Sequence, residues 1–432
     1  MENKVEKNEF YGVAGFPVMH SRSPELFSAF SGGKINYGRF SAATEDELRM
    51  FLNHFPLKGL NITSPLKEAA LKLAHESDET ARATGAANCL VNEKGRWKAF
   101  NTDYSAVRAL IRKSGVSKGS RVLIAGAGGA GKAAITAALH QGLDVTLTNR
   151  TLIRGEETAL SMKVPLVSWG SSWESYDLLI SALPRQADPL GDHPEFHGKV
   201  IDAAYPRSKT TLRGLKRGLK TVSGEEWLIE QGRSSYALMT RSEPLGITWE
   251  KAVSCFQEFS SPLVLTGFMG SGKSSVAQVL QKSGLTVFST DAEMEKRTGL
   301  DCHEAFSTLG EGEFRNLEKE ILREGGFVSS DVIDSGGGLW IDPENRRMLP
   351  EKALVIYLWT TPETAALRAY DRPLLKGKSQ TEACALYKAR LAHYFTHSAL
   401  IIPAELLSPR EAAKRAVEER ADAAKGGDEI DG

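Results

Sequence analysis

Gly267-Phe-Met-Gly-Ser-Gly-Lys-Ser274 decides how the last third of this 432-residue chain folds. It satisfies G-x-x-x-x-G-K-[ST], after the apolar run Pro262-Leu-Val-Leu-Thr266 and before the helical run Ser274-Ser-Val-Ala-Gln-Val-Leu280. A loop in that setting turns its backbone N–H groups toward phosphate oxygens. Its lysine reaches the β and γ oxygens, and its serine coordinates Mg²⁺. Gly270, Ser271, Gly272, Lys273, Ser274 and Ser275 are therefore the expected ATP-binding residues, with Ser274 the metal ligand. The strand–loop–helix pattern restarts here, which puts a domain boundary near 258–261.

A second glycine loop of another type lies upstream. Gly126-Ala127-Gly128-Gly129-Ala130-Gly131 follows the apolar strand Val122-Leu-Ile-Ala125 and opens a helix. Gly126 permits the tight turn, and Gly128 lets the backbone approach a pyrophosphate. Gly131 allows close helix–strand packing, and the helix N-terminus supplies free N–H groups. The next strand, Asp144-Val-Thr-Leu-Thr148, ends in Asn149-Arg150-Thr151. An NAD site places a carboxylate there for the ribose hydroxyls. An amide, a guanidinium and a hydroxyl suit a 2′-phosphate instead, so the expected cofactor is NADPH/NADP.

Bulk properties bound the rest. The chain is 41% hydrophobic and 25% charged, with 54 Lys+Arg against 54 Asp+Glu. A zero net charge argues against a nucleic-acid partner held by bulk electrostatics. Cys89, Cys255, Cys302 and Cys384 form no Cys-x-x-Cys pair, which fits free thiols in a reducing cytoplasm. The charged start MENKVEKNEF is no signal peptide, and no apolar run is long enough to span a membrane. The fold class expected is α/β throughout. Residues 1–103, with returning helices in 225–257, form an α/β substrate domain, and 104–224 a Rossmann domain. Residues 258–424 form a P-loop α/β/α domain with a parallel sheet, and 425–432 a frayed tail. Pro65 is expected in the first turn of a helix, and 247–259 to be helical.

Upstream of the Rossmann unit, the chain resembles shikimate dehydrogenase over roughly 10–256. The matches are Gly15-Phe-Pro-Val-Met-His-Ser-Arg-Ser-Pro24, Asn61-Ile-Thr-Ser-Pro-Leu-Lys67, Gly85-Ala-Ala-Asn88, Asn101-Thr-Asp103, Tyr205-Pro-Arg-Ser-Lys-Thr210 and Gln231. The resemblance implies that Ser21 and Ser23 grip a carboxylate and that Lys67 donates a proton to the ketone oxygen. It implies that Asp103 orients Lys67 and binds a substrate hydroxyl. Asn61, Thr63, Asn88, Tyr205 and Gln231 then surround a polyhydroxylated ring. Three positions depart from the family's habit: Tyr104 for glycine, Trp227 for a methionine near the nicotinamide, and Ser181-Ala-Leu-Pro184 near the cofactor.

Downstream, the chain resembles shikimate kinase over roughly 262–422. The matches are Asp291, Gly310-Glu-Gly-Glu-Phe-Arg315 with Glu318, Gly336-Gly337-Gly338, Arg372-Pro-Leu-Leu375, and Arg390 before His393-Tyr394. The resemblance implies that Arg315 and Arg390 hold the shikimate carboxylate by forked hydrogen bonds. Asp291 positions or deprotonates the attacking hydroxyl, and Gly336 to Gly338 let backbone approach the sugar acid. Arg372 comes down with a lid onto the transferring phosphoryl group. Ser289-Thr-Asp291 stands where the family has Asp-x-Asp, so a metal-side carboxylate is missing, and the lid before Arg372 is short.

Together the two resemblances imply a bifunctional enzyme of aromatic amino acid (chorismate) biosynthesis. It reduces 3-dehydroshikimate with NADPH and then phosphorylates shikimate with ATP and Mg²⁺. The partners expected are these small molecules, with no nucleic acid and no membrane, in a cytoplasmic monomer or homodimer. An alternative keeps the dehydrogenase and makes the kinase-like part a module that binds ATP or shikimate without turnover. A third reading changes the substrate to quinate or an aminated analogue.

Overall fold

The computed structural model describes residues 9–249, 259–370, 372 and 374–427. Most of the helix expected over 247–259 and the end of the expected frayed tail, 428–432, lie outside the described residues. The chain forms two compact units.

The first unit comprises 1–24, 35–57 and 256–432. Its strands make one parallel sheet in the order Val287–Ser289, Val332–Asp334, Ser260–Thr266, Ala353–Trp359, Leu400–Pro403, Asn36–Ser41, Phe10–Gly15. Runs such as Ala353-Leu-Val-Ile-Tyr-Leu-Trp359 are almost wholly buried, as expected of parallel strands covered on both faces. The sheet joins sequence-distant segments, with Ile401 in register with Phe40 and Phe10–Gly15 paired along its length to Asn36–Ser41. One hydrophobic core contains Val13, Val18 and Met19 together with Leu265, Ile356 and Ala413. A second aromatic cluster packs Phe10, Phe40 and Phe55 around Phe395.

The second unit comprises 25–34 and 58–255. Its six-stranded parallel sheet runs Thr221–Val222, Lys199–Asp202, Leu178–Ser181, Arg121–Ala125, Asp144–Thr148, Leu166–Val167. The order reverses direction at Arg121–Ala125, the topological switch point at which open α/β sheets bind dinucleotides. The glycine loop lies at the carboxyl end of that strand and leads into helix Gly129–His140. An antiparallel pair, Cys89–Glu93 with Arg96–Phe100, carries Asn88 and Asn101 at its end. One expectation is corrected. Leu66 N–H bonds to Thr63 O, closing a turn, so the helix begins at Lys67 and Pro65 sits ahead of its first turn.

Candidate active sites

In the second unit, Lys67 opens helix Lys67–Leu73 and Asp103 lies in the first turn of helix Thr102–Ser114. The Asn101 side chain caps that helix by accepting from Tyr104 N–H, which fixes the turn bearing Asp103. Lys67 Nζ donates to Asp103 Oδ2 at 2.6 Å. The other carboxylate oxygen, Oδ1, accepts from the indole Nε1 of buried Trp227 at 3.0 Å. Trp227, in sequence a departure beside the cofactor, thus holds the carboxylate that holds the lysine. Tyr104 turns its hydroxyl to His140 Nδ1 at 2.9 Å and is buried, so it serves packing.

Around this pair runs a buried polar network. Asn61 Nδ2 donates to Asn88 O at 3.2 Å and Ser235 Oγ at 2.9 Å. Asn88 Oδ1 accepts from Thr102 N at 2.7 Å and from Thr102 Oγ1 at 3.1 Å. Gln231 Oε1 accepts from Thr102 Oγ1 at 3.3 Å. Thr102 and Ser235 were missed in sequence, since a threonine beside an aspartate and a serine in a helix give no local signal. Thr63 lies in the turn before Lys67, and Tyr205 in the loop after strand Lys199–Asp202. In the first unit, Ser21 and Ser23 are both buried, and the Ser21 hydroxyl donates to Ser23 Oγ at 3.3 Å.

The glycine loop has the expected shape. A Cβ on Gly131 would collide with the Gly126 carbonyl, so only glycine lets helix and strand approach this closely. A Cβ on Gly129 would sit 3.2 Å from Lys67 Cδ, which puts the loop beside the lysine. Asn149 accepts from Ala127 N at 3.2 Å and donates to Thr151 O at 2.8 Å. Both ends of its amide bind backbone, so it braces the turn. Arg150 is half-exposed, pairs with Asp192 at 3.0 Å and lies 4.8 Å from the centre of the Trp169 ring. Arg154, not singled out in sequence, has Nη2 3.8 Å from the position of a Cβ on Gly128. Two guanidinium-bearing residues, Arg150 and Arg154, near a dinucleotide turn fit a cofactor with an extra phosphate.

In the first unit, a cavity of about 560 Å³ gathers every residue expected to hold ATP or the sugar acid. Gly270 to Ser275, Asp291 and Gly336 to Gly338 line it, as do Arg315, Arg372 and Arg390. Lys273 is buried and donates to Gly267 O at 3.0 Å and Phe268 O at 3.1 Å. Burial pulls its ammonium pKa down, opposed by Asp334 and Asp291. Arg315 follows the break at Gly310 in Cys302–Arg323, donates to Glu318 Oε2 at 2.6 Å, and faces the rings of Phe306 and Phe314. Burial pushes the Glu318 carboxyl up despite that guanidinium. A Cβ on Gly338 would meet the Arg315 guanidinium and push it aside, so the third glycine leaves that side chain its place. Arg390 is buried, and its Nη1 has no hydrogen-bond partner among the described residues. Arg390 and Arg315 line the same cavity, and two guanidinium groups there suit a carboxylate guest. Arg372 lines the cavity, while its lid neighbours 371 and 373 lie outside the described residues.

Ser289 caps helix Thr290–Thr298 by accepting from Ala292 N at 3.3 Å. Across the parallel ladder, Asp334 stands in register with Ser289. Asp334 is buried, and burial raises its pKa against the pull of nearby Lys273 and the Ser274 hydroxyl. Two hard oxygen donors, the Ser274 hydroxyl and the Asp334 carboxylate, fit Mg²⁺. Asp334 was missed in sequence because the carboxylate was sought at the end of strand Val287–Ser289, next to Asp291. The signal was present in Val332-Ile-Asp-Ser-Gly-Gly-Gly338.

Cys89, Cys302 and Cys384 are free thiols, and burial pushes the Cys89 thiol up to about 12. No helix among the described residues is long and apolar enough to cross a membrane.

Comparison with known proteins gives two family matches on separate segments. The shikimate dehydrogenase substrate binding domain matches residues 13–90, and shikimate kinase matches 269–421. The NADP(+) shikimate dehydrogenase of Anaeromyxobacter dehalogenans is 32% identical over 258 residues, covering 54% of this chain and 91% of the relative. That of Methanocella arvoryzae is 33% identical over 255 residues, covering 54% and 94%. The shikimate 5-dehydrogenase of Thermus thermophilus, solved in complex with shikimate, superposes with a TM-score of 0.50 at 29% identity. It covers 57% of this chain and 96% of its own.

Proposed function

We infer that this chain, which belongs to the shikimate dehydrogenase family and carries a shikimate kinase domain behind it, is a bifunctional shikimate-pathway enzyme. It reduces 3-dehydroshikimate to shikimate and phosphorylates shikimate to shikimate 3-phosphate. The observation that carries this reading is that two family matches, on residues 13–90 and 269–421, concern one molecule. The test is a single reaction from 3-dehydroshikimate in which NADPH oxidation and ADP release are followed together.

For the reduction, bound NADPH supplies the hydride to the carbonyl carbon. Lys67 gives a proton to the oxygen as the C=O becomes C–OH, and Asp103 holds the ammonium in place. The 2.6 Å contact between them supports these roles. Trp227 fixes Asp103. Ser21 and Ser23 take the substrate carboxylate, and Asn61, Thr63, Asn88, Tyr205 and Gln231 its ring side. Gly126 to Gly131 take the pyrophosphate. Arg150 and Arg154 take the 2′-phosphate, with Arg150 leaving Asp192 to do so.

For the phosphorylation, Arg315 and Arg390 hold the shikimate carboxylate, and their place in the lining of one cavity supports that role. Asp291 orients the 3-hydroxyl and accepts its proton as the new O–P bond forms and the bond to ADP breaks. Lys273 and Arg372 hold the phosphoryl oxygens. Bound Mg²⁺ neutralises phosphate charge, and Ser274 with Asp334 would hold it. The alternative of a kinase-like module without turnover rests on Ser289, which lacks a carboxylate, and on the short lid before Arg372. The buried carboxylate of Asp334 on the neighbouring strand favours the active enzyme.

A further inference from the structure

Helix Pro409–Gly427 closes the kinase sheet, yet one of its faces touches residues far outside the kinase sequence. Val18 N and Met19 N both donate to Glu419 Oε2, at 2.9 and 3.1 Å, and Ser41 Oγ donates to Glu419 Oε1 at 2.6 Å. The next residue, His20, donates its N–H to Asp422 Oδ2 at 2.8 Å. Three consecutive backbone donors of one loop therefore end on two carboxylates of the helix. One turn earlier, Arg415 pairs with Glu47 at 2.9 and 3.1 Å and lies 4.5 Å from the centre of the Phe16 ring. Positions 415, 419 and 422 share one helical face, as their spacing requires.

The loop so held is Phe16–Arg22, which runs directly into the two serines. Ser21 N–H closes on Val18 O at 3.1 Å, and Arg39 donates to Ser21 O at 3.2 and 2.9 Å. Val18 and Met19 point their side chains into the core that also holds Ala412, Ala413 and Ala416 of the helix. Glu419 is fully buried, so without it two loop N–H groups would be left unpaired away from water. A buried carboxylate is costly to keep, and a surface contact would not need one.

We propose that Glu419, within the kinase domain, is a positioning residue for the dehydrogenase, setting the backbone that presents Ser21 and Ser23 to the substrate's carboxylate. This rests on the reading of Ser21 and Ser23 as carboxylate ligands. The last helix of the kinase then serves two active sites: it packs behind its own P-loop helix and fixes the other enzyme's substrate loop.

The test uses the full chain. Glu419→Ala is expected to raise the dehydrogenase KM for shikimate about tenfold, the scale of a lost charge-assisted bond. The dehydrogenase kcat, its KM for NADP⁺ and both kinase KM values stay within about twofold. Glu419→Gln restores KM, because its carbonyl still accepts from Val18 and Met19 while its amide faces Ser41. An unchanged shikimate KM in Glu419→Ala overturns the proposal. So do equal losses in both activities, which make the contact merely structural. Where Glu419→Ala does not fold, Ser41→Ala gives up one of the three bonds and is judged by the same split. Ser21→Ala serves as the separate control. If it leaves the shikimate KM unchanged, the carboxylate-ligand reading fails, whatever Glu419 does.

Discussion

Ser289 and Asp334 stand opposite each other in register at the ends of neighbouring parallel strands. The serine spends its hydroxyl on a helix cap, and the aspartate turns its carboxylate to Ser274 and Lys273. Asp334→Ala is expected to raise the Mg²⁺ concentration for half-maximal phosphorylation by about tenfold or more. It should also remove the Mg²⁺-dependent part of the thermal stabilisation given by ATP. Ser289→Ala should cost about 1 kcal/mol of stability through its cap and leave the Mg²⁺ requirement alone. The reverse pattern would restore the view that this metal site lacks its carboxylate.

Trp227 is the second partner of Asp103. Trp227→Phe keeps the ring and removes the N–H, leaving Asp103 Oδ1 without that donor. A hydrogen bond to a charged group is worth about 1.5–3 kcal/mol, so dehydrogenase kcat/KM should fall roughly tenfold or more. Kinase rates measured on the same preparation should not move. An unaltered dehydrogenase would reduce Trp227 to packing.

Arg150 and Arg154 are expected to discriminate the cofactor. Arg150→Ala and Arg154→Ala should each raise KM for NADPH by about tenfold, with little change for NADH. Asp192→Ala, which releases Arg150 from its salt bridge, should lower KM for NADPH. Parallel losses with both cofactors would argue that these side chains only shape the turn.

Glu419 also predicts a pH signature. Burial pushes its carboxyl up, against the hydrogen bonds from Ser41, Val18 and Met19. A carboxyl raised on folding binds its proton more tightly in the native chain. Its contribution to stability is therefore complete below the unfolded pKa, near ~4.3, and is lost as pH rises through the folded value. Glu419→Gln cannot titrate, so its Tm should gain on the parent's as pH rises above about 4. A difference that stays constant across that range would contradict the assignment.

Legibility in the sequence followed the range of the forces involved. Both glycine loops and the strands leading into them were readable, because their chemistry demands fixed spacing over a few residues. Asp291, Arg315, Gly336 to Gly338, Arg372 and Arg390, spread along the chain, were reached through the family resemblance. Trp227 was not: it acts on Asp103, far away in the chain, and sits in no local pattern that announces a partner. Asp334 was overlooked although an apolar strand ending in Asp-Ser-Gly-Gly-Gly338 marks it. The helix that opens at Lys67 was started two residues too early, at Pro65, because the Thr63 to Leu66 turn is invisible in a helical propensity count. Glu419 shows the same limit most plainly. In Arg415-Ala-Val-Glu-Glu-Arg420 it reads as one more charge on a solvated helix, and only the fold brings Val18, Met19 and Ser41 to it.

The most direct test of the account is a coupled assay on the purified full chain supplied with 3-dehydroshikimate, NADPH, ATP and Mg²⁺. One ADP should appear for each NADPH oxidised, with shikimate 3-phosphate as the product. Lys67→Ala should stop both signals, yet release ADP normally when shikimate is added. Lys273→Ala should oxidise NADPH and accumulate shikimate. NADPH oxidation by the parent enzyme with no ADP release, even with shikimate supplied, would contradict the second activity and with it the claim that both sites serve one metabolite.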